Sequence, residues 1–206
     1  MSERHPLSET LSAYAAGALP AGARLVLEVH LDGCAHCRTE VARFEALGGA
    51  LLCEAEPSEL APGGLERALA ALDRPTPEPP SEPPSRRLTL DEVLARGFWI
   101  PLGPSLAVKR LSRFADPGER LVLIRAAGGQ ALPEHGHAGP ERLVVLKGAF
   151  EDQLGRYGPG DLSERGPDDR HQPVAVPGET CLCLSATDAP LRLSGIARWL
   201  QPVLGL

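Results

Sequence analysis

The chain has 206 residues, enough for one large domain or two small ones, with 43% hydrophobic and 23% charged residues and a net charge of −6. That charge lacks the basic footprint of a general DNA or RNA binder, and no window approaches the roughly 18 apolar residues that would span a bilayer. The opening MSERHPLSET carries no apolar signal region, so a cytoplasmic protein is expected. Glycine (22) and proline (21) are both abundant, which favours turn-rich β structure or linkers over a pure helical bundle.

In chain order, the first 72 residues suit helices. Ser8 is placed to cap a helix running to Gly17, with Leu11, Tyr14, Ala15 and Ala18 at three- and four-residue steps. Pro20 opens a second helix that carries Leu25, Val26, Val29 and His30 along one face. Asp32 is a candidate cap for a third, through Val41, Phe44 and Leu47, with Gly48-Gly49 as its stop. Pro57 to Leu72 supports a fourth. Residues 73–87 then place six prolines between Pro75 and Pro84. Proline lacks a donor and restricts its predecessor, so this stretch predicts an extended spacer.

From residue 88 the pattern turns to short apolar or alternating runs cut by Gly and Pro, the signature of a sandwich or barrel. Predicted strands are Phe98–Leu102, Ala107–Phe114, Arg120–Ala126, Arg142–Lys147, Cys181–Ser185 and Leu191–Ile196. The division is therefore 1–72 helical, 73–87 linker and 88–206 all-β. Charge divides too: residues 1–72 hold ten acids against five arginines, which suits a basic protein surface as partner.

Two constellations carry chemistry. His30-x3-Cys34-x2-Cys37 offers thiolates and imidazole, the ligands that tetrahedral zinc prefers. The helix start at the cysteines favours thiolate over thiol. A closed site needs a fourth ligand; His5, just before the first helix, is the better candidate and His36 the rival. A Cys-x2-Cys is also the thioredoxin pattern, but no βαβ context surrounds this one.

The second constellation is Gly129-x5-His135-x-His137-x3-Glu141-x6-Gly148, which is similar at every position to the first cupin motif. His135 and His137 alternate by two, so on a strand both rings face one side. Glu141 follows after a short turn, and Gly148 allows a tight turn between strands. Two imidazoles and a carboxylate suit a divalent first-row metal, with zinc, manganese, iron and nickel all acceptable. The second cupin motif is only partly present, in Gly155 to Asp161 followed by a late His171, which is the candidate fourth ligand. Of six histidines, only His36 falls outside these proposed ligand sets. Cys181 and Cys183 also alternate by two and face one side of a strand, either beside the metal or as small core residues.

The combination of a His-x3-Cys-x2-Cys helical region, a Pro-rich linker and a cupin resembles the ChrR family of bacterial anti-sigma factors. The likeness runs nearly end to end, through SAYAAGALP, HLDGCAHCR, GGQALPEHGHAGPE, RYGPGD and ATDAPLRL. The fold it implies is an α+β multidomain one, a small all-α zinc-binding domain followed by an all-β cupin (double-stranded β-helix) barrel. It implies zinc on His5, His30, Cys34 and Cys37, and a second divalent metal on His135, His137, Glu141 and His171. It further implies a non-enzymatic role: an extracytoplasmic-function sigma factor held inactive and released when the cupin senses singlet oxygen or a related oxidant. No direct nucleic-acid or membrane contact is expected. The alternative is a cupin metalloenzyme of dioxygenase or isomerase type, with Tyr157 or Glu134 as its acid or base and a zinc-stabilised regulatory N-terminal domain.

Overall fold

The computed structural model describes residues 4–72, 95 and 97–193. Four helices come first: α1 (Ser8–Ala15), α2 (Ala21–Gly33), α3 (Ala35–Glu54) and α4 (Gly64–Leu72). The count matches the expectation, but the punctuation differs. Ser8 does not cap α1; its N-cap is Leu7, and the Leu7 N–H and the Thr10 hydroxyl instead donate to the Glu164 carboxylate from the β-rich part. Asp32 caps nothing, because α2 runs on to Gly33; Cys34 caps α3, its Sγ accepting from the Cys37 N–H. Gly48 and Gly49 do not stop α3. A glycine stop needs a left-handed backbone, neither residue adopts one, and the helix continues to Glu54. The fourth helix starts at Gly64 rather than Pro57. The Pro-rich spacer predicted over 73–87 lies outside the described residues.

Among the described residues twelve short strands follow, all pairing antiparallel. They are β1 (Ile100–Pro101), β2 (Leu106–Arg110), β3 (Arg120–Ala126), β4 (His135–His137), β5 (Glu141–Lys147), β6 (Phe150–Asp152), β7 (Gly155–Tyr157), β8 (Leu162–Arg165), β9 (Arg170–His171), β10 (Val174–Ala175), β11 (Cys181–Thr187) and β12 (Leu191–Leu193). A six-stranded sheet runs β1-β2-β3-β11-β5-β8, and two three-stranded sheets run β10-β6-β7 and β12-β4-β9. The run predicted over Ala107–Phe114 ends early, since Ser112–Phe114 forms a 3-10 turn. Of the strand predicted over Leu191–Ile196, only Leu191–Leu193 falls in the described residues.

The large sheet is covered on both faces, and side-chain alternation along its strands sorts the two cores. On β3, β5 and β11, Leu121, Leu123, Val144, Leu184 and Ala186 pack with Ala23, Val26, Leu27 and Leu31 of α2. Their neighbours Val122, Ile124, Leu143, Cys181 and Cys183 face the opposite way, into a cavity closed by Phe150, His171 and Ala175 of the small sheets. The helical layer thus shares one apolar core with the back of the sheet. Its N-terminal edge is tied down by charge as well: the α2 amides of Ala21, Gly22 and Ala23 donate to the carboxylates of Asp116 and Glu119 at 2.7–2.9 Å. Those acids sit where the helix dipole is positive.

Candidate metal centres

Two clusters of His, Cys and Glu side chains have all their donor atoms within 4.8 Å of one another, and they are the two predicted from sequence. In the first, His30 comes from the end of α2, Cys34 from the α2–α3 junction, Cys37 from the first turn of α3, and His5 from the segment leading into α1. The His30 Nε2 lies 3.3 Å from the Cys37 sulfur, and His5 Nδ1 lies 3.4 Å from both sulfurs. His30, Cys34 and Cys37 are buried and His5 is exposed. His36, the rival fourth ligand, is exposed, its ring 4.9 Å from that of His5.

The His30 ring is oriented by its other nitrogen. Nδ1–H donates to the Gly160 carbonyl at 2.7 Å, which leaves Nε2 as an acceptor facing the cysteines. Burial lowers the His30 pKa, so the ring is neutral, as a metal ligand must be. Burial also pushes the Cys37 thiol up to about 12, helped by the Cys34 sulfur beside it. Without a cation Cys37 is held as a thiol; with one, the cluster is a thiolate–imidazole set that fits tetrahedral zinc.

In the second cluster β4 supplies His135 and His137, the first residue of β5 supplies Glu141, and β9 supplies His171. All four are buried. Gly148, between β5 and β6, holds φ +69°, where an added Cβ would collide with the Thr180 backbone. The turn thus requires glycine, as expected. The His135 Nδ1 donates to the Pro133 carbonyl at 2.8 Å and the His171 Nδ1 to the Asp152 carboxylate at 3.0 Å. Their Nε2 atoms are therefore turned toward each other, 3.0 Å apart. Ser185 donates to one Glu141 oxygen at 2.8 Å, and the other stands 3.7 Å from His137 and 3.8 Å from His171. Neither ring nitrogen of His137 has a hydrogen-bond partner among the described residues. Buried polar atoms go unpaired at a cost of about 1–3 kcal/mol, and a divalent ion among these donors would relieve both the orphaned ring and the opposed lone pairs. The set fits a first-row metal bound by three imidazoles and a carboxylate.

Burial lowers the pKa of His137 and of His171, which keeps both neutral and ready to ligate. Burial opposes charge on Asp152 too, but the hydrogen bonds from His171 and Arg165 prevail and hold its carboxyl below its ordinary value. Asp152 and Ser185 are the orienting residues that sequence reasoning missed; no spacing rule points to either. Cys181 and Cys183 are buried, with sulfurs 3.5 Å apart, and line the same cavity of about 140 Å³ as His135, Glu141 and His171. Of the acid–base candidates for an enzyme, Glu134 is exposed and Tyr157 lies outside the cavity lining, its ring stacked on Phe150.

Residues 94–190 match the family described as ChrR Cupin-like domain, and residues 7–38 match the one described as "Putative zinc-finger". The anti-sigma-E factor ChrR of Cereibacter sphaeroides is 38% identical over 211 residues, covering 98% of each chain. The crystal structure of Rhodobacter sphaeroides SigE in complex with the anti-sigma ChrR superposes with a TM-score of 0.74 and 35% identity, over 91% of this chain and all of that one.

Proposed function

The chain belongs to the ChrR family of anti-sigma factors, and from that premise we propose that it binds an extracytoplasmic-function sigma factor, holds it inactive, and frees it on an oxidative signal. The family is one of regulators, so the enzymatic alternative falls away. The observation that supports a protein partner is a run of exposed leucines on the helical layer. Leu47, Leu51 and Leu52 on the distal half of α3 and Leu65, Leu69 and Leu72 on α4 all stand in solvent, Leu52 and Leu72 at 77% and 79% exposure. Spacings of three and four residues align Leu47 with Leu51 and Leu65 with Leu69 and Leu72 along helix faces, and apolar surface of this kind marks a protein-binding site. The five-charge acidic excess of residues 1–72 matches the basic, nucleic-acid-facing surface of a sigma factor. The proposed contact is with protein; none of the described helices is long and apolar enough to cross a bilayer.

In this reading residues 1–72 form the inhibitory domain, 73–87 the linker and 88–206 the sensor, acting in the cytoplasm. His5, His30, Cys34 and Cys37 hold zinc, which ties the lead-in segment to α2 and α3 and stabilises a small helical unit whose own core is slight. His135, His137, Glu141 and His171 hold a second divalent metal, whose role is to fix three imidazoles and a carboxylate beside an apolar cavity that His135, Glu141 and His171 line. Oxidisable thiols line that cavity, which suits a sensor of singlet oxygen or a related oxidant.

The test is run-off transcription driven by the partner sigma factor. The wild-type chain is expected to suppress it, and Leu51→Asp with Leu69→Asp to lose binding by more than about tenfold with an unchanged melting temperature. Equal binding by the double variant would overturn the docking surface. His135→Ala with His137→Ala is expected to keep inhibition while blocking release by singlet oxygen; normal release would remove the second cluster from sensing.

A further inference from the structure

We infer that the β7–β8 turn is a shared support for both clusters, so that metal occupancy at the histidine–glutamate cluster strengthens metal binding at Cys34 and Cys37. This rests on the metal-site reading above and concerns how the two sites communicate.

On one side, the turn holds one ligand of the first cluster, His30, and the backbone next to a second, His5. The Gly160 carbonyl accepts from His30 Nδ1 at 2.7 Å. One Asp161 oxygen accepts from the backbone N–H of Arg4, the residue before His5, at 3.1 Å, and the Leu162 N–H donates back to the Arg4 carbonyl at 3.2 Å. The turn itself is stiff. The second Asp161 oxygen accepts from the Gly158 N–H at 2.8 Å, and the Gly160 N–H donates to the Val145 carbonyl at 2.8 Å. Gly160 sits at φ +86°, open at low cost only to glycine.

On the other side, the residue that enters the turn is Tyr157. Arg165 donates to its hydroxyl at 3.2 Å and, from the same nitrogen, to Asp152 at 2.5 Å. That Asp152 oxygen is the one that accepts from His171 at 3.0 Å. The Arg4 guanidinium lies over the other end of the chain of contacts, 5.3 Å from the Tyr157 ring centre. A continuous path therefore runs His171–Asp152–Arg165–Tyr157, through the turn, to His30 and to the backbone beside His5. Its charged and polar members are buried: Tyr157 is 4% exposed, Arg165 5%, and the Asp152 side chain not at all. A buried hydrogen-bonded chain has no water to take up slack, so a ring released at one end changes the partners available at the other. Partners of this kind, bonded to the ligands rather than to the metal, typically change metal affinity 10–100-fold. By linkage the effect is reciprocal.

Cobalt(II) provides the readout, because a thiolate-to-metal charge-transfer band arises only where a sulfur is a ligand. In the full-length chain that band reports the Cys34/Cys37 cluster and is blind to the histidine–glutamate one. Chelator titration of the band is compared in wild type and in His135→Ala with His137→Ala, each with and without Tyr157→Phe. The expected result is a loss of about tenfold or more in first-site affinity when the second cluster is emptied, shrinking to less than about twofold in the Tyr157→Phe background. Asp152→Asn guards against damage from the double alanine variant: with metal analysis showing both sites filled, its charge-transfer band should still yield to chelator more readily than that of wild type. Equal first-site affinity in wild type and the emptied variant, with two metals bound per wild-type chain, overturns the coupling and leaves the metal sites standing. Fewer than two metals per wild-type chain overturns both.

Discussion

His135 and His171 are paired across β4 and β9, and their Nε2 atoms meet at 3.0 Å with both Nδ1 protons already committed to oxygens. Two lone pairs cannot share that gap, and a cation between them would relieve it. The same burial of imidazoles gives the metal-free protein a pH dependence. Burial holds His30, His137 and His171 below their ordinary 6.5, so the unfolded chain takes up protons first as the pH falls. Stability is fully present above about pH 6.5 and is lost as pH drops below it toward the folded values. The melting temperature of chelator-stripped protein should be level between about pH 7 and 8 and fall steadily by about pH 5. A level profile across the whole range would contradict this burial argument.

Glu164 joins the helical layer to the sheet. One carboxylate accepts from Leu7 and Thr10 and pairs with Arg142 at 3.1 Å, with its side chain only 11% exposed. Glu164→Ala strands a nearly buried arginine and unsatisfied donors at the start of α1, which should cost about 2–4 kcal/mol. Glu164→Gln keeps an acceptor and should lose less. Urea denaturation separates them; equal midpoints for wild type and Glu164→Ala would show that the bridge contributes nothing.

Both metal clusters were legible in the sequence because ligand chemistry needs fixed residue types at fixed spacing. His135, His137 and Glu141 fall within seven residues, and Cys34 and Cys37 within one turn; the more distant His5 and His171 were candidates from their place beside these motifs, and the full sets came from the family resemblance. The long-range supports were not legible. Nothing in the local text ties Glu164 to Thr10, or Gly160 to His30, since these partners lie more than 100 residues apart. Glu164 also explains why Ser8 is not needed as a cap. One signal was available and passed over. Leu121-Val122-Leu123-Ile124 and Leu143-Val144-Val145-Leu146 are unbroken apolar runs, and such runs mean a sheet covered on both faces. They announce the helical layer packed behind the barrel, which a reading as separate helical and β units does not anticipate.

That shared core predicts cooperative unfolding. Leu27 of α2 is fully buried against the back of the large sheet. Leu27→Ala should cost about 2–5 kcal/mol, and it should lower the helical and β-sheet signals in circular dichroism through one common transition. Two separate transitions, with only the helical one shifted, would show that α2 does not stabilise the sheet.

The thiols should differ sharply in reactivity once metal is removed. Cys53 lies exposed on α3, whereas Cys37 is buried and its thiol is raised to about 12. Only the thiolate is a nucleophile, so at about pH 8 an alkylating reagent should label Cys53 rapidly while metal-free Cys37 stays largely unmodified. Cys181 and Cys183 are buried along the cavity, and the hydrogen bond that the Cys183 thiol makes to the Cys181 sulfur, together with burial, drives the Cys183 thiol well above its ordinary value, so Cys183 should also resist. Peptide mapping by mass spectrometry after a short pulse gives the order. Labelling of Cys37 as fast as Cys53 would mean that the first cluster opens without its metal, and that the His30–Gly160 bond does not hold α2 and α3 together on its own.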